Sequence, residues 1–329
     1  MSLLEVRNLK KYFPAQSSNN VGRKLVVKAL DGVSLTIEAG ETFGLVGESG
    51  CGKSTLGHCV LRLLEPNSGE ILLDGQDLTM LKGKALRQIR RHLQMVFQDP
   101  VSSLNPRMTV LQILEEPFRI HRLCGKEECL SRIHDLLDAV GLDKGSLAKY
   151  PYEFSGGQRQ RISIARALAL KPKLIVADEP VSALDVSIQA QIVNLFQDLQ
   201  ERFQLTYLFI SHSLPIVEHI SSRIGVMYLG KLAEVGTAEE IFQNPRHPYT
   251  QILLDSVPRL DGSGRKALLG GEMPSALNPP AGCRFHTRCP LAVDRCRVEE
   301  PRELNLSSSH RVWCHLAEPA ASNTQVPNS

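Results

Sequence analysis

Residues 47–54 read Gly-Glu-Ser-Gly-Cys-Gly-Lys-Ser, and this octet decides how the rest of the chain is read. It fits G-x-x-x-x-G-K-[S/T], the pattern of a phosphate-binding loop between a strand and a helix. Gly44-Leu45-Val46 before it suits the end of a buried strand, and Thr55 to Leu64 after it suits a helix. Gly47, Gly50 and Gly52 let the backbone turn tightly and aim its N–H groups at phosphate oxygens. The helix that follows adds the positive end of its dipole. Lys53 is expected to reach the β- and γ-phosphates as a point charge, and Ser54 to offer its hydroxyl to Mg²⁺. The whole run Gly47, Glu48, Ser49, Gly50, Cys51, Gly52, Lys53, Ser54 and Thr55 should surround the phosphates, with the Cys51 side chain a spectator.

The chain has 329 residues, 42% hydrophobic and 22% charged, with a net charge of +3. That composition suits a globular protein with a large core and room for two domains. The charge is too small to argue for a nucleic-acid partner. No apolar run reaches the ~18 residues that a membrane span needs. The start Met1-Ser2-Leu3-Leu4-Glu5-Val6 lacks the basic and apolar segments of a signal peptide. The expected location is therefore cytoplasmic, with any membrane role exercised through partners.

Residues 3–8 and 25–37 alternate as half-buried strands do, and 69–78 read as a strand and turn. From about Pro100 to Ala169 the pattern is helical. Leu174-Ile175-Val176-Ala177, Thr206 to Ile210 and Gly225 to Leu229 are short apolar runs suited to buried strands, and Ile188 to Phe203 is an amphipathic helix. The alternation argues for an α/β core with a mainly parallel sheet. After about Asn244 the chain becomes Pro-rich. Asp261-Gly262-Ser263-Gly264 looks like a linker, and the polar end from Pro319 to Ser329 like a disordered tail.

Asp178 and Glu179 close the run at 174–177, where α/β proteins place their ligands. Asp178 suits the Mg²⁺ shell, and Glu179 can polarise an attacking water. Phe154-Ser155-Gly156-Gly157-Gln158 opens a helix and resembles the LSGGQ signature of ATP-binding-cassette (ABC) ATPases, with Phe154 in place of Leu. That resemblance implies a P-loop ATPase domain with a RecA-like core, an antiparallel β-subdomain and an α-helical subdomain. In that family two cassettes meet head to tail with two ATP molecules between them. The resemblance assigns Lys53, Ser54 and Asp178 to phosphate and Mg²⁺, and Gln98 to the Q-loop with a place in the Mg²⁺ shell. Ser155, Gly156, Gly157 and Gln158 become the clamp on the partner's γ-phosphate. Asp185 falls in the D-loop Ser182-Ala183-Leu184-Asp185. Glu179, His212, Lys53 and Gln98 form the catalytic set, and Phe13 stacks on adenine. Ser213 follows His212 where related chains often carry Asp.

Asn244-Pro245-Arg246-His247-Pro248-Tyr249-Thr250 and Leu277-Asn278-Pro279-Pro280-Ala281-Gly282-Cys283 resemble the region after the cassette in oligopeptide and dipeptide importers, above all the second ATPase subunit of bacterial dipeptide permeases. Nickel and glutathione importers share much of this architecture. The implied division is a cassette at 1–245 with its helical subdomain at about 100–169, an importer-type extension at 246–318, and a tail at 319–329. The implied partners are two transmembrane permease subunits, a paralogous ATPase subunit and, through the permease, a periplasmic or extracellular peptide-binding protein. The implied place is the cytoplasmic face of the bacterial inner membrane. A homodimer stays open.

Cys283, Cys289, Cys296 and Cys314 are spaced C-x₅-C-x₆-C-x₁₇-C. Four thiolates so spaced can hold zinc or a [4Fe–4S] cluster. The family resemblance favours the iron–sulfur cluster in a structural role, with His286, His310 and His315 as alternative ligands. Against a soluble ABC ATPase of translation stands the single P-loop. Against one of DNA repair stands the lack of a coiled-coil insertion between Gln98 and Ser155. Against a P-loop kinase or GTPase stands the signature at 154–158.

Overall fold

Along the chain, β1 (Ser2–Ala15), β2 (Leu25–Glu38), β3 (Thr42–Val46) and α1 (Lys53–Val60) come first, then β4 (Ser68–Leu73), β5 (Gln76–Asp77), α2 (Gly83–Ile89) and β6 (Leu93–Val96). A helical stretch follows, with α3 (Pro100–Ser103), α4 (Val110–His121), α5 (Lys126–Ala139) and α6 (Gly156–Leu168). The chain then alternates β7 (Leu174–Asp178), α7 (Val186–Phe203), β8 (Thr206–Ile210), α8 (Leu214–Ile220), β9 (Arg223–Tyr228) and β10 (Lys231–Thr237). It ends with α9 (Ala238–Gln243), α10 (Pro248–Asp255), α11 (Asp294–Val298), β11 (Leu304–Asn305) and β12 (Arg311–Val312). This computed structural model describes residues 2–15, 25–256 and 272–317; the expected linker at 261–264 and the tail at 319–329 lie outside the described residues.

β1, β2, β4 and β5 form an antiparallel sheet ordered β2-β1-β4-β5. Val33, Leu35 and Ile37 are buried at every second position of β2, the period of a strand with one covered face. The larger sheet is ordered β11-β12-β10-β9-β3-β8-β7-β6, and β9, β3, β8, β7 and β6 run parallel. Its central strands are apolar throughout because both faces are covered. Leu174 and Val176 of β7 and Leu208 and Ile210 of β8 enter one core, with the β-rich layer and α1. Ile175, Ala177, Tyr207 and Phe209 enter the other, with the helices. There Phe196 of α7 meets Tyr207 and Phe209 edge-on, with centroids 5.3 and 5.7 Å away. Residues 174–177 and 206–210 thus form buried parallel strands, as their composition predicts.

The helical stretch makes its own apolar contacts. Val110, Ile113, Leu114 and Phe118 of α4 face Ile133 and Leu137 of α5 in the same core. Thr109 caps α4 reciprocally with Gln112. Cys124 and Cys129 form a disulfide between the end of α4 and the start of α5. Nothing in their sequence setting distinguishes them from the other scattered cysteines.

The C-terminal residues return to the main sheet. Val312 and Arg311 of β12 pair with Glu234 and Val235 of β10. Glu234 has no exposed surface. It accepts the Arg246 N–H at 2.7 Å and the His247 N–H at 3.0 Å, and it faces His310 Nε2 at 2.7 Å. One buried carboxylate therefore ties β10, the start of α10 and the β12 segment together. Replacing it by alanine strands two backbone donors and a histidine, and should cost about 3–5 kcal/mol. A urea titration of Glu234→Ala is expected to show a midpoint lowered accordingly.

His247 beside it gives a pH dependence. Burial lowers its pKa to about 4, against a smaller opposing effect of Glu234. Its Nδ1 accepts the Tyr249 N–H at 3.0 Å, so protonation there would break a bond. The unfolded chain takes up this proton below about pH 6.5, while the folded chain does not until about pH 4. Through this group, stability should fall as pH drops from about 6.5 to about 4 and level off below. Melting temperatures across that range should fall less steeply for His247→Asn.

Candidate functional site

The phosphate-loop octet runs from the end of β3, an inner strand of the parallel sheet, into the first turn of α1. Gly47 and Gly52 are required there. Their φ values are +150° and +111°, and an added Cβ would sit 2.1 Å from the Met227 carbonyl oxygen and 2.4 Å from the Ala29 carbonyl oxygen, respectively. The loop is thus a cradle that any side chain would fill. Lys53 is only 5% exposed. Its Nζ donates to the carbonyls of Gly47 at 2.7 Å and Glu48 at 3.1 Å. A buried ammonium whose partners are carbonyls lining a Gly-rich turn is a cation ready to exchange those partners for phosphate oxygens.

Ser54 Oγ donates to Asp178 Oδ1 at 2.9 Å. Burial raises the Asp178 pKa, with the Ser54 hydrogen bond pulling the other way. A hydroxyl backed by a carboxylate, under a phosphate cradle, is the donor set that Mg²⁺ takes. Glu179 stands one residue further, in a left-handed conformation (φ +47°) held by its N–H donating to Ile210 O at 2.9 Å. A non-glycine residue held there by its surroundings is a strained position of the kind found at active sites. One oxygen of its carboxylate, Oε2, accepts from Gln98 Nε2 at 3.0 Å and lies 3.2 Å from His212 Nδ1. Three residues from the ends of β6, β7 and β8 therefore meet at one oxygen.

These groups share a cleft of about 500 Å³, within the range that holds a small-molecule ligand. Ser49, Gly50, Gly52, Lys53, Ser54, Thr55, Gln98, Glu179 and His212 line it. Gly47, Glu48, Cys51 and Asp178 stand behind these. Cys51 is buried and its thiol is pushed up by burial, which suits a spectator. Phe13 does not line the cleft. It sits on β1 opposite Val27, with Lys11 Nζ 5.0 Å from its ring centroid, while Val27 itself and Ala29 provide the apolar wall. Ser155, Gly156, Gly157 and Gln158 also lie outside the cleft, at the start of α6. There Ser155 and Gln158 form a reciprocal cap, with the Ser155 hydroxyl accepting the Gln158 N–H. Asp185 stands at the N-cap position of α7, where its side chain makes no capping hydrogen bond, and it is exposed.

Sequence reasoning missed the C-terminal contribution. Ala276 lines the cleft and its carbonyl accepts the Lys28 N–H at 3.0 Å. Tyr249 and Arg288 both bind Glu48 of the loop. The only signal for Tyr249 was its place in the run 244–250. Ala276 and Arg288 lie more than 200 positions from the loop and carry none.

The iron–sulfur expectation is not met. Among the described residues, no three or more His, Cys, Asp or Glu side chains are grouped so as to hold a metal ion. Burial pushes the Cys283 thiol up to about 11 and raises those of Cys289 and Cys314. Cys283 and Cys289 pack against the larger core, and Cys296 is buried. They act as small apolar side chains. The three histidines are engaged elsewhere. His286 Nδ1 lies 2.8 Å from the Cys283 carbonyl, His310 faces Glu234, and His315 Nε2 lies 2.9 Å from the Glu299 carbonyl.

Two family models match the chain: "ABC transporter" over residues 30–182, and "Oligopeptide/dipeptide transporter, C-terminal region" over residues 233–296. The oligopeptide transport ATP-binding protein AppF of Bacillus subtilis is 54% identical over 320 residues, covering 96% of this chain and 97% of that protein. Among solved structures, the ATP-binding cassette MJ0796, in a dimeric post-hydrolysis state bound to ADP and Pi, is 29% identical with a TM-score of 0.63. The match covers 71% of this chain and 98% of that one. The cbiO1 protein of Clostridium perfringens, part of the cbiONQ ABC transporter complex, is 27% identical with the same TM-score, over 80% and 97%.

The cradle can be tested directly. Gly47→Ala should destabilise the fold by about 1–3 kcal/mol, because the new methyl meets backbone at a strained φ. Pyrophosphate should raise the melting temperature of the unaltered chain, and Gly47→Ala should abolish that rise.

Proposed function

The chain belongs to the ATP-binding subunits of ABC transporters, and from that premise we propose that it hydrolyses ATP to drive peptide uptake through a membrane complex. The observation that carries the reading is the single carboxylate oxygen of Glu179, shared by Gln98 and His212 beside the Lys53 cradle. Glu179 takes the proton of, or orients, a water aimed at the γ-phosphate. Gln98 and His212 hold that carboxylate in place. Lys53 leaves its carbonyl partners to balance the charge on the phosphoryl oxygens. Mg²⁺, held by Ser54 and Gln98 with Asp178 behind Ser54, would neutralise charge on the β- and γ-phosphates.

The remaining assignments are part of the same proposal. Phe13 stacks on adenine. Ser155, Gly156, Gly157 and Gln158 clamp the γ-phosphate in a second subunit's cleft, and Asp185 lies at the contact between subunits. Residues 1–245 act as the cassette and 246–318 as the importer-type extension. No helix among the described residues is long and apolar enough to cross a membrane. In this reading two permease subunits supply the pathway, and this chain docks on them at the cytoplasmic face of the inner membrane. The groove beside the Q-loop, with Met95, Phe97, Glu116, Pro117 and Arg166 on its walls, is where a permease segment would bind. A paralogous ATPase subunit completes the pair, and a peptide-binding protein outside the membrane delivers cargo.

Glu179→Gln is the test. ATP binding should persist while hydrolysis falls about 10²–10⁴-fold, and cells carrying it should fail to take up labelled di- and tripeptides. Normal peptide uptake in cells lacking the gene would overturn the cargo. Unchanged hydrolysis by Glu179→Gln would overturn the mechanism.

A further inference from the structure

Glu48 has its backbone and side-chain groups committed, although it does not line the cleft. Its N–H donates to the Tyr249 hydroxyl at 3.0 Å. Its carbonyl accepts from Lys53 Nζ at 3.1 Å and from the Cys51 N–H at 3.2 Å. Both its carboxylate oxygens accept from Arg288 Nη1, at 3.1 and 2.9 Å. Two of these partners, Tyr249 and Arg288, come from beyond the last cassette strand β10, more than 200 positions away.

Both are rigidly placed. Tyr249 has no exposed surface and packs its ring against Tyr228 and Phe285, with centroids 4.7 and 5.3 Å away. The Arg288 side chain is 5% exposed, and its guanidinium lies over the Tyr228 ring at 5.9 Å. The same region is fixed to the cassette at other points. Arg284 bonds the Leu229 carbonyl and Asp31, and Ala276 accepts from Lys28 on β2. A partly buried ion pair with two acceptor oxygens holds its geometry better than an exposed one, because solvent competes less for either partner.

We propose that the C-terminal region is a positioning element of the nucleotide site, in which Arg288 and Tyr249 hold Glu48, and through it the phosphate-binding loop, in its ligand-ready shape. The loop carries Lys53, so its shape sets where the ammonium stands before phosphate arrives. Preorganisation of this kind acts on binding, because a loop left free must be ordered by the ligand. It acts less on the chemical step, since Glu179, Gln98 and His212 come from the ends of β7, β6 and β8 and not from this loop, and Lys53, which the loop does carry, is drawn to the phosphate oxygens once the nucleotide is bound. This proposal rests on the reading of the cleft as a nucleotide site.

The test compares the full chain with Arg288→Met, Arg288→Lys and Tyr249→Phe. Calorimetry would give Kd for MgADP and MgATP, and a steady-state assay KM and kcat for ATP. Arg288→Met should weaken nucleotide binding and raise KM about tenfold, with kcat at saturation within about twofold. Arg288→Lys should recover part of the loss. Tyr249→Phe, which keeps the ring and removes only the acceptor, should weaken binding several-fold, and it decides the matter alone if Arg288→Met does not fold. Folded variants that bind as the unaltered chain does would overturn this inference and leave the nucleotide reading intact. So would a loss of kcat that merely tracks lowered melting temperature. An unaltered chain with no affinity for either nucleotide would instead overturn the reading beneath it.

Discussion

The Lys53 ammonium rests on the carbonyls of Gly47 and Glu48, inside a turn where a side chain at Gly47 or Gly52 would strike backbone. Much of the molecule is arranged around that contact. The turn needs a rigid strand in front of it, which β3 provides from between β9 and β8 of the parallel sheet. Its walls come from β2 and β9, whose Ala29 and Met227 carbonyls press on it. Burying an ammonium is costly unless its donors are matched, and here two backbone carbonyls and, at 3.9 Å, the Cys51 sulfur receive them. The charge is therefore held close to where phosphate would sit without being locked to a carboxylate, which would compete with the ligand.

The legible and illegible parts of the sequence divide along physical lines. The loop at 47–54, the strands 174–177 and 206–210, and the placement of Asp178 and Glu179 were readable because each rests on a local rule. A tight turn needs glycine, a strand covered on both faces has no polar phase, and ligands gather at strand ends. Gln98, Glu179 and His212 meet through sheet order, which local rules do not give; the family resemblance put them in one catalytic set, and β6-β7-β8 adjacency provides the contact. Tyr249, Ala276 and Arg288 carried no local rule. An aromatic after Pro248 and an arginine among cysteines each suit an ordinary packed turn.

The four C-terminal cysteines show the converse error. Spacing along the chain allows four thiols to be brought near one another. It does not say that the sulfurs converge on a point. Here burial favours the neutral thiol, and the nearby polar groups are already used. The extension is anchored by other means: the Glu234 carboxylate, the β10–β12 pairing, and the aromatic group of Tyr228, Tyr249 and Phe285.

The start of α6 explains why a second subunit belongs in the proposed reaction. Ser155 is exposed, and its hydroxyl oxygen already accepts the Gln158 N–H. The hydroxyl hydrogen stays available, and the first N–H groups of the helix have no partner within it. An aspartate would cap this helix as well as serine does, but it would repel a phosphate where serine can donate to one. The cap chemistry thus suits an anion that this chain's own cleft does not bring there. A γ-phosphate in a facing cleft would meet these donors, and ADP would not reach them. In the proposed reaction, that difference in contacts between the two nucleotides would let ATP draw two subunits together and hydrolysis release them.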